Sequence, residues 1–333
     1  MICIPVRDEE HVLPSLLQAL SELVVRRRPV ELCFYLDGCH DGGAALLRAA
    51  DVGHRVRIVA GDRQREPNAG RARRAAVAVA IDALGPRDAL LFTTDADSQP
   101  APDWIEAGAA ALQMADVVAG RIVRDTAASD PGQSRIERYY DRLFRYRRRL
   151  DPVPWEAADT HHFAGGANLA MHASAYRAIG GFQSLPHGED ATLLDDAARA
   201  GLRVRRDAAM LVTTSSRRQG RATQGLASAL RSLDGGEVPH VAHPLSVAWQ
   251  ARAQALARRV FARIDDPAAQ AELGAVIELS SDHVLGVARD CSNGEAFAMR
   301  IVPAAPTYRE PVALDVAEAA LADLEMNLCE AAE

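Results

Sequence analysis

The first half of the chain alternates short apolar runs with segments of helical periodicity, and this alternation constrains the fold more than any other feature. The strand-like runs are Ile2–Val6, Val30–Leu36, Val56–Ala60, Ala89–Thr93 and Asp116–Val123. The helical segments include a leucine-rich face over 13–24, the alanine-rich segment 69–84, and 104–114. Strands separated by helices of this length indicate parallel β-α-β units. The sequence therefore predicts an α/β fold with a doubly wound, mostly parallel sheet.

The pattern changes further along the chain. Residues from about 124 to 233 hold a basic helix, a glycine-rich turn and one more strand-like run at Ala208–Thr213. After Asp234-Gly235-Gly236 the segments His243–Ile264, Pro267–Asp290 and Glu310–Ala332 read as alanine-rich helices. We therefore predict one domain over 1–233, with halves at 1–123 and 124–233, followed by a C-terminal helical region over 234–333.

Bulk composition excludes several functions. The net charge of -7 gives no basic field for nucleic acid. The longest weakly polar runs are far shorter than the roughly 18 apolar residues of a membrane span. The five cysteines are scattered without a CxxC pair, which favours a reducing compartment and no zinc site. Since the chain enters an apolar run at once, we expect no signal peptide and a cytoplasmic protein.

Acidic residues follow three predicted strands at the point where each strand ends. Glu9 comes after the first strand, Asp37 after the second, and Asp95 and Asp97 after the fourth. Ligands of open α/β sheets bind at this edge, and clustered carboxylates there need a cation. An Asp-x-Asp pair alone is often a solvated turn. Carboxylate oxygens also suit Mg²⁺ or Mn²⁺, which proteins usually hold together with substrate phosphates. The pattern predicts that Asp95 and Asp97 hold a divalent ion bridged to a diphosphate.

Together these motifs resemble the family-2 glycosyltransferases of the GT-A fold. In chain order they read IPVRDEE, LDGCHDGG, NAGRARR, TTDADSQPAPDWI, GGANLAM, AIGGF and GEDATLLDDAARAG. The resemblance covers about residues 1–225, and it implies a GT-A sheet, a nucleotide-sugar donor and a Mn²⁺ or Mg²⁺ ion. It places the donor in residues 1–123 and the acceptor in 124–233. The sequence departs from the family at Cys39, His40 and His172.

On the donor side the resemblance assigns roles by position. Pro5, Arg7 and Glu9 match residues that line the base and ribose pocket. Asp37 matches the aspartate that hydrogen-bonds the nucleobase, usually uracil. Asn68 begins the helix that follows. Two further matches concern the donor phosphates and the metal. Arg71 stands near the phosphates, where the family more often has lysine, and the whole chain contains no lysine. Asp95 and Asp97 match the Asp-x-Asp motif, with Asp97 as the preferred direct ligand.

On the acceptor side, Asp190 of Gly188-Glu189-Asp190 matches the catalytic base of inverting members. It lies at the start of a helix, where the dipole favours a charged carboxylate by a few tenths to about 1 kcal/mol. The alternative is that Asp190 only caps that helix. The remaining acceptor-side candidates are Gly165, Gly166, Asn168, Glu189, Arg217 and Arg221.

The basic segment 135–149 has two interpretations. We favour an amphipathic helix that packs Ile136, Tyr140 and Leu143 inward. The alternative is a surface for a phosphorylated or anionic-lipid acceptor, which leaves peripheral membrane contact open. His161 and His162 have a structural role or contact a metal or acceptor, and we favour the former.

The sequence therefore predicts a metal-dependent enzyme that transfers one sugar, from a UDP-sugar, to an acceptor hydroxyl with inversion. The membrane-bound polymerases of the family carry a Gln-x-x-Arg-Trp signature that this chain lacks, so processive synthesis is disfavoured. Retention of configuration stays an alternative. A nucleotidyltransferase would show a glycine-rich loop after the first strand, and IPVRDEE has no glycine. A non-catalytic sugar-nucleotide binding protein would need neither Asp97 nor Asp190.

Overall fold

The main sheet has eight strands in the order β3-β2-β1-β4-β7-β6-β8-β5. The computed structural model describes residues 1–26, 29–64, 66–125, 130–220, 225–305 and 309–330. The strands are β1 (Ile2–Val6), β2 (Glu31–Asp37), β3 (Arg55–Gly61), β4 (Leu90–Thr93), β5 (Ser98–Pro100), β6 (Val117–Arg124), β7 (Leu169–His172) and β8 (Val204–Thr214). A small antiparallel pair is formed by β9 (His240–Val241) and β10 (Val312–Ala313).

Helices follow most strands and continue into the C-terminal region. Within the first 234 residues they are α1 (Leu13–Ser21), α2 (Gly43–Ala49), α3 (Ala69–Leu84), α4 (Trp104–Ala111), α5 (Pro131–Leu150), α6 (Ala173–Ala178), α7 (Glu189–Arg199) and α8 (Leu226–Asp234). The later ones are α9 (Pro244–Phe261), α10 (Pro267–Ile277), α11 (Ser281–Arg289), α12 (Gly294–Ile301) and α13 (Leu314–Glu330). Among the described residues, none of these helices is both long and apolar enough to cross a membrane.

Strand pairing confirms the mostly parallel sheet. The pairs β1–β2, β2–β3, β1–β4 and β6–β8 are parallel. Strand β7 runs antiparallel to both β4 and β6, and β5 runs antiparallel to β8. Neither β5 nor β7 was predicted, because each is only three or four residues long and each follows a turn.

The sheet is covered on both faces, which is why its central strands read as continuous apolar runs. Successive side chains of β1 point to opposite faces. Ile4 therefore packs in one buried cluster with Leu16 of α1 and Trp104 of α4. Cys3 packs in a second cluster with Val77 of α3 and with residues of α6 and α7. This two-sided core leaves the carboxyl ends of the strands open for a site.

The C-terminal helices form their own core and also cover α5. Helices α9 to α12 share one buried cluster. In another cluster Tyr139 and Leu143 of α5 pack against Val241 and against Leu321 of α13. The predicted inward packing of this basic helix is confirmed. The predicted helix over 267–290 is instead two helices, because Glu278 takes a left-handed backbone conformation (φ 58°).

Candidate active site

A cleft of about 480 Å³ opens where β1, β2, β4 and β8 end. This is the edge at which open α/β sheets bind ligands. The structure brings most of the predicted site residues together there. Those that line the cleft are Pro5, Arg7, Glu9, Asp37, Asn68, Asp95, Asp97, Gly165, Gly166, Glu189, Asp190 and Arg217. Arg221 lies outside the described residues.

The β1 and β2 side of the cleft holds an aspartate that pairs with an arginine through one of its two oxygens. The Arg7 guanidinium donates from Nη1 to Asp37 Oδ2 at 3.0 Å. Asp37 is only 2% exposed. Its second oxygen, Oδ1, is buried and accepts no hydrogen bond from the described part of the chain. Because a buried acceptor without a donor is costly, this oxygen is suited to an N–H group of a ligand.

The two carboxylates of the Asp-x-Asp motif each meet an arginine. Asp95 Oδ1 accepts from Arg73 Nη1 at 2.8 Å, and Asp97 Oδ2 lies 2.9 Å from Arg217 Nη2. Arg217 also pairs with Glu9. Burial and the neighbouring charge of Asp95 raise the pKa of Asp97 to about 6, even though Arg217 opposes the shift. Negative charge at this point of the cleft is therefore only partly offset by the protein.

Arg73 is a cleft residue that was not among the candidates predicted from the sequence. It is 6% exposed, and it donates from Nε to Glu189 Oε1 at 3.1 Å and from Nη1 to the carbonyl of Gly166 at 2.8 Å. Burial works against its charged form, but Asp95 and Glu189 outweigh burial and raise the pKa of the guanidinium. Arg73 therefore joins α3 and the Asp-x-Asp motif to α7 and to the turn at Gly165-Gly166, here called the glycine turn. Arg73 precedes the buried Ala76 and Val77 by three and four residues. Residues with this spacing lie on one face of a helix, so the pattern indicates that Arg73 is buried too.

Asp190 lies at the start of α7 and faces the glycine turn. Its Oδ2 accepts from the backbone N–H of Gly166 at 2.8 Å, and its Oδ1 accepts from the N–H of Ala191 at 2.7 Å. The N-cap of α7 is Gly188, with φ 74°. The interpretation of Asp190 as the helix cap is therefore wrong. Neighbouring Glu189 is buried, and burial raises its pKa although Arg73 opposes the shift.

Asn168, which was predicted on the acceptor side, is not among the residues that line the cleft. It is fully buried below the cleft. Its Oδ1 accepts from the Trp104 indole at 2.7 Å, and its Nδ2 donates to the carbonyls of Arg121 and Met210 at 2.7 and 2.8 Å. All its polar capacity is used inside the protein, because the residue ties β6, β8 and α4 together.

Arg71 was predicted near the donor phosphates, but it is not among the residues that line the cleft. Its backbone N–H is capped by Asn68 Oδ1 at 2.7 Å, and its guanidinium atom Nη2 is buried without a hydrogen-bond partner among the described residues. Arg71 and Arg73 are two residues apart, which corresponds to about 200° around a helix. They therefore lie on nearly opposite faces of α3. Arg73, not Arg71, contacts the Asp-x-Asp motif.

The opposite end of the cleft is polar and aromatic. Arg124 pairs with Glu137 at 3.0 Å, and both line this end. His162 is held by Asp141, with Nδ1 2.7 Å from Oδ1, and its ring lies 4.2 Å from that of Phe163. Glu137 lies on α5, and His162 and Phe163 lie in the segment that precedes the glycine turn. Of these residues only His162 was considered from the sequence. Arg124 directly follows the predicted strand Asp116–Val123 but is not one of the carboxylates sought there, and Glu137 and Phe163 stand at no strand end.

A mostly parallel sheet with an acidic cleft at its strand ends, closed by a glycine turn and the start of a helix, defines a GT-A type protein. Residues 1–173 match the family model described as glycosyl transferase family 2. The chain belongs to that family, and it is a glycosyltransferase.

The similar solved structures are distant in sequence. Residues 1–349 of S. aureus TarS in complex with UDP-GlcNAc are 13% identical, with a TM-score of 0.50 over 90% of this chain and 88% of that chain. A longer S. aureus TarS chain is 12% identical, with a TM-score of 0.51 over 90% of this chain and 54% of that chain. The mannosyltransferase PcManGT from Pyrobaculum calidifontis, in complex with GDP-Man and Mn²⁺, is 14% identical, with a TM-score of 0.48 over 90% and 84%. No curated protein gives a significant match.

Proposed function

We propose that this chain transfers a single sugar from a UDP-sugar to an acceptor hydroxyl, with inversion at the anomeric carbon and with help from Mn²⁺ or Mg²⁺. One observation carries the proposal. Asp37, Asp95, Asp97 and Asp190, which come from three distant parts of the chain, line a single cleft. In this proposal Asp37 accepts from the base, Asp95 and Asp97 hold the metal that bridges to the diphosphate, and Asp190 takes the proton of the acceptor.

The second oxygen of Asp37, which has no donor among the described residues, supports a nucleobase with an N–H donor. Uracil offers one such group at its ring N–H, and Asp37 Oδ1 is a buried acceptor that lacks a donor among the described residues. Arg7 holds the other oxygen of the same carboxylate and so fixes its direction. The TarS structure of the same fold was solved with UDP-GlcNAc, which agrees with this choice of base.

The residues around the Asp-x-Asp motif fit a divalent cation. Asp95 and Asp97 supply carboxylate oxygens at the cleft wall, and Mg²⁺ and Mn²⁺ prefer such ligands. In the described part of the chain, no cluster of three histidine, cysteine or acidic side chains suited to a metal includes either residue. The donor diphosphate and water would therefore complete the coordination. When bound, the ion would neutralise charge on the leaving diphosphate.

The side chains of the cleft would perform the remaining steps. Arg217 lines the wall beside Asp97 and places a fixed positive charge where the leaving diphosphate gains negative charge. The acceptor hydroxyl must lose its proton as it attacks the sugar. Asp190 is the carboxylate on the acceptor side that can take this proton. Two backbone N–H groups hold its oxygens in place.

We further propose that residues 1–233 carry all of this chemistry and that 234–333 act by packing. The described cleft residues all come from the first 227 positions. Helices α9 and α13 meet the rest of the protein through α5. The helical region would then hold α5 in position.

Release of nucleotide diphosphate tests the function. The intact chain is incubated with UDP-, GDP- and dTDP-hexoses in Mn²⁺, with and without simple sugar acceptors, and free nucleotide diphosphate is measured. We expect release from a UDP-sugar, and a large loss for Asp97→Asn. Asp82→Asn is the control, because Asp82 is exposed on α3 and is not among the cleft-lining residues. Faster release from a GDP- or dTDP-sugar would contradict the choice of base.

A further inference from the structure

One end of the cleft is lined from α5 and from the segment before the glycine turn, and we call it the α5 end. Its lining residues are Arg124, Glu137, His162 and Phe163. The chain leads from this end directly to Asp190. Gly166, three residues after Phe163, donates its backbone N–H to Asp190 Oδ2 at 2.8 Å. Three residues span at most about 11 Å, so a molecule held at the α5 end can present a group to Asp190.

Asp141 fixes the ring of His162 and leaves one ring nitrogen unused. Burial opposes the ionised form of Asp141, but hydrogen bonds from His162 and the charge of Arg121 outweigh burial and lower its pKa. A carboxylate only accepts hydrogen bonds, so the imidazole hydrogen lies on Nδ1, which is 2.7 Å from Asp141 Oδ1. Nε2 has no hydrogen-bond partner among the described residues. In the neutral ring Nε2 is therefore an acceptor that is held in place and unoccupied.

Two aromatic rings hold the plane of this imidazole. The His162 ring centroid lies 4.2 Å from that of Phe163 and 5.6 Å from that of Tyr140, with interplanar angles of 32° and 31°. Tyr140 is not among the cleft-lining residues, whereas Phe163 is half-buried and lines the cleft. The α5 end thus offers an apolar ring beside a fixed polar atom. Binding pockets for small molecules combine these two kinds of surface.

The positive charges beside the α5 end are matched by carboxylates. Arg124 donates from Nε and Nη2 to the two oxygens of Glu137 at 3.0 and 3.3 Å. Arg121 pairs with Asp141 at 3.0 Å. The third nitrogen group of Arg124, Nη1, is buried without a partner among the described residues, but Glu137 already offsets its charge. An uncharged ligand therefore fits this end better than a phosphate, which would add about two negative charges.

We propose, on the basis of the proposed function, that the acceptor is an uncharged sugar whose ring packs on Phe163 and whose hydroxyl donates to His162 Nε2. A sugar ring presents C–H groups on its faces and hydroxyls at its rim, which match an aromatic ring beside a polar atom. A hydroxyl can donate to Nε2, whereas the oxygens of an ionised phosphate cannot. Another hydroxyl of the same sugar then reaches Asp190.

Acceptor kinetics of the intact chain test this assignment. Transfer from UDP-hexoses in Mn²⁺ is measured with methyl glycosides of common hexoses and, separately, with hexose phosphates. Release of UDP without acceptor reports on the donor site alone. We expect transfer to a methyl glycoside and little to the phosphates. In His162→Ala and in Phe163→Ala the acceptor KM should rise about tenfold, as for the loss of one hydrogen bond or one ring contact.

UDP release without acceptor should stay within about twofold of wild type in both variants, because neither residue is assigned to the donor. His283→Ala is the matched control, since His283 is exposed on α11, and its acceptor KM should equal that of wild type. Should His162→Ala fail to fold, Phe163→Leu gives the same test, because it keeps an apolar side chain and removes the aromatic face.

Three results would overturn the assignment. One is transfer to hexose phosphates and to no methyl glycoside. Another is an acceptor KM that stays at the wild-type value in both variants. The third is UDP release that no methyl glycoside accelerates, which would leave the donor site intact. If no UDP-hexose releases UDP, with or without an acceptor, the proposed function itself fails and the assignment fails with it.

Discussion

Asp190 is the residue on which the proposed mechanism depends. Asp190→Asn keeps the size of the side chain and one oxygen for a backbone N–H, but it has negligible basicity. We therefore expect sugar transfer to fall by about 10²-fold or more, within the range typical of a general base. UDP affinity should change little. The melting temperature should fall only modestly, because Gly188 and not Asp190 is the N-cap of α7, although asparagine can accept only one of the two backbone hydrogen bonds that Asp190 accepts.

The matched control is Asp196→Asn, on the same helix but hydrogen-bonded to Gln183 and not among the cleft-lining residues. It should transfer sugar at close to the wild-type rate. Near wild-type transfer by Asp190→Asn would show that the base lies elsewhere. Glu189 would then be the next candidate, and a retaining mechanism would gain support.

His161 makes the stability of the protein sensitive to acid. It is fully buried, and burial together with the positive charges of Arg121 and Arg206 lowers its pKa to about 3, although Asp141 opposes the shift. Below about pH 6.5 the unfolded chain binds a proton that the folded chain refuses until about pH 3. The unfolding free energy should therefore decrease as the pH is lowered across that window. The decrease should be about 1.4 kcal/mol per pH unit once the histidine of the unfolded chain is protonated.

Urea unfolding at pH 7 and at pH 5 measures this effect. Between these values wild type should lose about 2 kcal/mol more than His161→Leu, in which the titrating ring is gone. Leucine also removes two ring nitrogens that have no hydrogen-bond partner among the described residues. His283→Gln, exposed on α11, should keep the wild-type pH dependence. Equal losses in wild type and His161→Leu would mean that His161 is protonated in the folded state.

At the scale of elements, the glycine turn depends on Asn168 for its position. In Asn168→Ala, the Trp104 indole and the carbonyls of Arg121 and Met210 lose their buried partner. We expect the unfolding free energy to fall by about 2–4 kcal/mol, since each unpaired buried group costs about 1–3 kcal/mol. Urea unfolding measures this, and the acceptor KM of the folded fraction should stay near wild type. A normal stability with a raised acceptor KM would restore the acceptor role that the sequence predicted for Asn168.

Long apolar elements of the fold could be predicted from the sequence, but short and context-dependent ones could not. Strands β1 and β2 are buried on both faces, so their composition alone identifies them. Strand β7 has four residues and is defined by partners distant in the chain. The break between α10 and α11 depends on the backbone of a single residue, Glu278. Helix propensity does not reveal such a break.

The site shows the same division. Asp37, Asp95 and Asp97 could be placed at one edge because each directly follows a strand. Arg73 could not, because its role depends on reaching Glu189, 116 residues further along the chain. Arg71 attracted attention through its motif, although α3 presents Arg73 to the cleft. Spacing from the end of a strand therefore located Asp37, Asp95 and Asp97, whereas the pairing of Arg73 with Asp95 required the tertiary structure.

At the scale of the whole molecule, the cleft is a network of alternating charges. Arg73 holds Asp95 and Glu189, and Arg217 holds Glu9 and Asp97. A metal and a diphosphate would add charge of both signs to this network. Binding of the two should therefore be coupled, because each neutralises part of the charge that the other brings.

The melting temperature in the presence of UDP and Mn²⁺ tests this coupling, and with it the donor site, most directly. UDP with Mn²⁺ should raise the melting temperature more than UDP alone, because a ligand that binds only the folded state stabilises it. In Asp97→Asn the increment that depends on Mn²⁺ should disappear while the protein stays folded without ligand. The result that would contradict the account is an unchanged melting temperature with UDP, GDP and dTDP alike in saturating Mn²⁺.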